Sequence, residues 1–87
     1  MQIAVLGAGT MGHGIAQVSA MAGHDVRLRD IEESIVSDGL DAIESNLDGA
    51  IEREKMTESE ARATLNRVDG TTSLSEAVAG CDLVIEA

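Results

Sequence analysis

Apolar residues fall along this chain in short unbroken runs and in longer stretches spaced by three and four, and each pattern predicts a different element. Ile3-Ala4-Val5-Leu6 is continuous and closed by Gly7, the pattern of a strand buried on both faces. Thr10 to Ala22 is rich in Ala, Met, Ile and Val with no breaker after Gly14, and Gly23 follows as a left-handed stop, so a helix is predicted. Asp25 to Asp30 alternates, with Val26 and Leu28 on one side and Arg27 and Arg29 on the other, as a strand does. From Ile31 to about Glu54, Val36, Leu40, Ile43, Leu47, Ala50 and Ile51 make one stripe on a long helix. Thr57-Glu58-Ser59-Glu60 has the form of a capping box and opens a helix to about Asn66. A second box, Ser73-Leu74-Ser75-Glu76, opens a brief helix that Gly80 closes. Between them Arg67 to Thr72 is a candidate strand, and Asp82 to Ala87 is an apolar one.

This alternation of strands and helices predicts an α/β fold built on a parallel sheet. Right-handed crossovers place the strands in the order 3-2-1-4, a Rossmann-type half-sheet with a long helical insertion between its second and third strands. There is no Pro-rich or Ser-rich linker and no internal repeat. The chain stops directly after an apolar strand, so residues 1–87 are expected to be the amino-terminal part of a longer dinucleotide-binding domain.

Composition narrows the partners. With no Phe, Tyr or Trp, the core must be aliphatic. Sixteen acidic residues against six basic ones give a formal charge of −10, which repels nucleic acid and anionic lipid surfaces. Lys55 is the only lysine, a composition that fits a halophilic source as well as an ordinary acidic cytosolic protein. Cys81 has no second cysteine with which to form a disulfide or a metal site. The longest early apolar run, Ile3 to Leu6, is too short for a signal peptide or a membrane span, and a cytoplasmic location is expected.

Gly7-Ala8-Gly9-Thr10-Met11-Gly12 is a G-x-G-x-x-G string. The string alone is weak evidence. Here it follows a predicted buried strand, opens a predicted helix, and precedes an acid, Asp30, 18 residues after Gly12 at the end of the next strand. Gly7 permits the tight turn, Gly9 lets the backbone approach a pyrophosphate, and Gly12 lets the helix pack on the first strand. The free amides of Thr10, Met11 and Gly12 and the positive helix end then face the phosphates, without any lysine. Asp30 can accept from adenosine ribose hydroxyls and repel a 2′-phosphate, and Ile31 beside it offers no positive group, so NAD is favoured over NADP. FAD enzymes share the fingerprint. Asp30-Ile31-Glu32-Glu33 can also be read as a helix N-cap with Glu33 closing the box. His13 and His24 lack a companion that would make either a base. Asp38, Asp41, Glu44 and Asp48 follow helical spacing without the turn-rich loop of a calcium site, so no metal site is expected.

The stretches GAGTMGHGIAQV (Gly7 to Val18), LRDIEES (Leu28 to Ser34) and GTTSLSEAVAGCDLVIEA (Gly70 to Ala87), with the helical pair between strands two and three, resemble the start of the 3-hydroxyacyl-CoA dehydrogenase family. The similarity runs over the whole chain and includes the 3-hydroxybutyryl-CoA dehydrogenases. It implies a protein that oxidises the 3-hydroxyl of an acyl-CoA with NAD as hydride acceptor, and a homodimer at full length. The family's catalytic histidine, glutamate, serine and asparagine belong to the second half of the nucleotide domain and have no counterpart here, so this chain alone is expected to be inactive. Glu86 matches a glutamate of the family's fourth-strand motif. Asn46 and Arg53 match positions of the helical pair that meet the CoA tail, although Arg53 can equally pair with an acid one helical turn away. A non-catalytic dinucleotide-binding or assembly module, or another NAD-dependent hydroxyacid dehydrogenase, is the alternative.

The charge generates a first prediction. Self-repulsion at −10 opposes compaction in dilute buffer and is screened in salt. Helical circular dichroism of the 87-residue chain is expected to rise between dilute buffer and molar potassium chloride. A thermal transition indifferent to salt would contradict it.

Overall fold

The computed structural model describes residues 1–87. Strand β1 (Gln2–Leu6) leads through the glycine turn into helix α1 (Thr10–Met21), and β2 (Asp25–Arg29) returns beside β1. Helices α2 (Glu33–Glu52) and α3 (Glu58–Asn66) form the insertion, followed by β3 (Val68–Thr71), α4 (Leu74–Val78) and β4 (Leu83–Glu86). The sheet is wholly parallel in the order β3-β2-β1-β4, as the crossover rule predicts.

Register divides the sheet into two faces. Ile3 pairs with Val26 and Val5 with Leu28, and these four side chains pack with Ala16 and Ala20 of α1, Ile43 and Leu47 of α2, Ala61 of α3 and Val68 of β3. Leu28, Ile43, Val5 and Val26 are the largest fully buried side chains, so the core is aliphatic as the composition requires. On the other face Arg27 donates through Nη1 to the carbonyl oxygens of Glu76 and Ala79 at the end of α4. Arg67 similarly donates to Ala20 O in the last turn of α1, 2.9 Å away. Both guanidinium groups therefore sit at helix C-termini, where a cation is favourable.

Helix ends follow sequence chemistry with two corrections. Thr57 Oγ1 accepts from Glu60 N and Glu60 Oε1 accepts from Thr57 N, so the first capping box is complete. The second is only half formed: Ser73 Oγ accepts from Glu76 N, but the Glu76 carboxylate is taken by the Thr71 hydroxyl, which in turn accepts from Ser73 N. Helix α2 begins at Glu33 with Glu32 as N-cap, two residues beyond the predicted start at Ile31, because Glu32 keeps an extended backbone. No helix is long and apolar enough to cross a membrane.

Candidate functional site

The C-terminal ends of β1 and β2 meet the start of α1, and Gly7 makes the meeting possible. Its φ of +111° turns the chain sharply out of the strand, in a region side chains rarely enter. Gly7 N donates to Arg29 O at 2.7 Å, tying the turn to β2. Gly9 is then the N-cap of α1 and contributes no side-chain bond. The amides of Gly9, Thr10, Met11 and Gly12 have no acceptor in the chain, and the first helical bond runs from His13 N to Gly9 O. Around the position a Gly9 Cβ would occupy there is no atom within 4 Å, whereas a Cβ on buried Gly12 would lie 1.7 Å from Gly7 O. The two glycines therefore act differently. Gly12 is demanded by the fold, and Gly9 stands in open space at the start of α1.

Asp30 closes the site. Its Oδ2 accepts from Ala8 N at 3.0 Å and its Oδ1 from Ile31 N at 2.8 Å. The Ala8 amide in the first place holds this carboxyl below the usual aspartate range; burial, the next largest influence, opposes it, and the amides of Ile31 and Glu32 and the charge of Arg29 add to the lowering. The reading of Asp30 as the α2 N-cap is thus corrected: the cap is Glu32, and Asp30 braces the glycine turn. A carboxylate offers about four lone-pair positions, so acceptor capacity remains.

Beside Asp30 lies an open hollow of about 310 Å³ over the strand ends, whose lining includes Arg29, Ile31, Leu74 and Glu86. Ile31, 72% exposed, and Leu74, 48% exposed, give it two apolar flanks. Arg29 is a positive group that attention to Ile31 alone overlooks; its Nε donates to Thr72 O at 3.0 Å. A larger hollow, about 420 Å³, lies between β3 and α4, and the Arg27 guanidinium there is already bonded to helix carbonyls.

Asn46 and Arg53 stand apart from the turn. They follow Gly39, the α2 residue that touches Ala8, by seven and fourteen residues, or about 10 and 21 Å along the axis. Asn46 Nδ2 donates to Gln17 Oε1 at 3.0 Å, linking α2 to α1. Arg53 is the C-cap of α2 and its guanidinium lies against Gly49. The ion pair expected for it is not formed; the one surface pair joins Arg62 to Glu58 at 2.9 Å. His24 Nδ1 sits 3.1 Å from the terminal amine, and no cluster of His, Cys, Asp or Glu could hold a metal. Gly39 and Arg29 are the site residues that pattern reading missed. An isolated glycine inside a helical stripe was the available signal for the first.

The Asp30 geometry predicts a titration. A carboxyl depressed in the folded state stabilises it above the unfolded value, near 3.9, and that contribution is lost as pH falls through the lower folded value. The Ala8 amide proton is expected to report the ionisation by NMR with a midpoint below about 3.9. A midpoint at or above that value would mean the bond is not made.

Residues 2–87 match the family described as 3-hydroxyacyl-CoA dehydrogenase, NAD binding domain. A 3-hydroxyadipyl-CoA dehydrogenase of Escherichia coli K12 is 42% identical over 85 residues, which cover 98% of this chain and 18% of that protein. A 3-hydroxybutyryl-CoA dehydrogenase of Bradyrhizobium diazoefficiens is 39% identical over 85 residues, 98% of this chain and 29% of the relative. The crystal structure of (S)-3-hydroxybutyryl-CoA dehydrogenase from Ralstonia eutropha superposes with a TM-score of 0.94 at 42% identity, covering 99% of this chain and 30% of that one. The chain therefore spans less than a third of the length of these relatives. Sheet order, glycine turn and match over residues 2–87 agree, and the chain belongs to the NAD-binding domain family of the 3-hydroxyacyl-CoA dehydrogenases.

Proposed function

We propose that this chain holds the pyrophosphate and adenosine of NAD for a protein that oxidises the 3-hydroxyl of a 3-hydroxyacyl-CoA. One observation carries the reading: four successive amides, from Gly9 to Gly12, have no acceptor in the chain, and no atom lies within 4 Å of the place a Gly9 Cβ would take. Donors and a helix dipole fixed in this way suit a dianionic linker and need no basic side chain. The chemistry NAD supplies when bound is hydride acceptance. The chain's own residues bind and orient it.

In this reading Asp30 uses its remaining lone pairs to accept from the ribose hydroxyls while Ala8 N and Ile31 N hold its plane. Its charge opposes a 2′-phosphate, and Arg29 in the same hollow favours one, so NAD preference rests on Asp30 prevailing. Ile31 and Leu74 flank the space for the adenine. Arg53, free of any carboxylate, and Asn46 face the CoA tail from the insertion. No residue of this chain is assigned as the base. His13 and His24 form no hydrogen bond to a carboxylate, and we propose that residues 1–87 alone bind the cofactor without turning over the thioester.

Because a side chain on Gly9 meets only open space, Gly9→Val is expected to keep the melting transition and to weaken NAD binding at least about tenfold by calorimetry, the worth of one lost charge-assisted hydrogen bond. Gly12→Val is expected to lose the folded state itself. Unchanged NAD affinity in a folded Gly9→Val chain would remove the site.

Cofactor choice gives a separate test. Asp30→Ser is expected to bring NADP affinity toward that of NAD, and adding Arg29→Ala should cancel the gain. If the ratio of the two affinities does not move in Asp30→Ser, the carboxylate serves only the turn.

A further inference from the structure

The turn carrying the free amides faces ligand space on one side and α2 on the other, and on the α2 side the contact is Gly39. Gly39 is buried in the second turn of a twenty-residue helix, inside which glycine is less favourable than alanine. A Cβ there would lie 2.8 Å from Ala8 O, 3.3 Å from Leu28 Cδ2 and 3.4 Å from Ala8 Cβ. The first of these atoms is backbone and cannot swing aside.

Ala8 O belongs to the peptide that joins Ala8 to Gly9. That peptide is a rigid plane whose C=O and N–H point in opposite directions, so a push on the oxygen turns the Gly9 N–H. This N–H is the first of the four amides without an acceptor. The displacement has few other outlets. Ala8 N is held by Asp30 and Gly7 N by Arg29 O, which fixes the turn upstream. Val36, Ile43 and Leu47 of α2 are all buried, so lifting the helix away would open the core.

We infer that Gly39 is a positioning residue: by letting α2 rest on the Ala8 carbonyl, it aims the Gly9 amide at the pyrophosphate. The inference builds on the NAD reading above and adds a residue that touches no ligand. Gly39 sets the direction of a donor through one peptide plane.

The test compares Gly39→Ala with Gly49→Ala, the same change in the same helix, where a Cβ meets only the movable Arg53 guanidinium. In the 87-residue chain, Gly39→Ala is expected to shift the Gly9 amide signal in the ¹H–¹⁵N spectrum. The Ala8 amide should keep its response to Asp30 ionisation. The NAD dissociation constant should rise about tenfold, as for one misaligned hydrogen bond to a charged group. Gly49→Ala is expected to do neither. If Gly39→Ala does not fold, Leu28→Val/Gly39→Ala is compared with Leu28→Val alone, which relieves the side-chain contact and leaves the one to Ala8 O. A folded variant with an unchanged Gly9 signal overturns the inference, and so does a shifted signal with unchanged NAD affinity. If the unmutated chain binds no NAD, the functional reading fails, and the Gly9 signal alone decides whether α2 aims the turn.

Discussion

The closeness of α1 to the end of β1 is the constraint on which the rest of the structure depends. A carbon at Gly12 would fall 1.7 Å from Gly7 O, so the helix axis can come this near only without a side chain there. With α1 seated, Ala16 and Ala20 reach the sheet and complete the cluster around Val5 and Leu28. The first-turn amides are left without acceptors in the chain. Packing and donor placement are two results of one steric fact.

Asp30 extends the same economy to the second strand. Bonds from Ala8 N and Ile31 N join the end of β2 to the turn after β1, so the carboxylate is braced before any ligand arrives. Such bracing lowers the reorganisation needed on binding. Helix α2 starts late, at Glu33, because Glu32 before it keeps an extended backbone.

Much of this architecture was legible because local signals and topology agreed. The buried run at Ile3 to Leu6, the alternation over Asp25 to Asp30 and the stripe from Val36 to Ile51 each pointed to the element found, and the crossover rule ordered the strands. The roles of Gly7 and Gly12 were readable from spacing. Contacts made across the fold were not. Nothing near Glu76 in sequence announces that Thr71 will take its carboxylate from Ser73, and the helical spacing around Arg53 suggested an ion pair that does not form. Arg29 was read only as lying opposite Val26 and Leu28 on a strand, whereas it bonds Thr72 O in the loop before α4 and lines the hollow. The apolar stripe gave Gly39 no role, and the approach of Ala8 gives it one.

Three of the six basic residues, Arg27, Arg29 and Arg67, are bonded to backbone carbonyls, and only Arg62 engages a carboxylate. The cations that organise the fold and the acids that coat it are therefore separate populations. Substituting acids along the outer face of α2, where Asp38, Asp41, Glu44 and Asp48 make no ion pair, leaves every arginine–carbonyl contact in place. The surface charge of this chain can therefore change widely without loosening any of the contacts that its arginines make to the backbone.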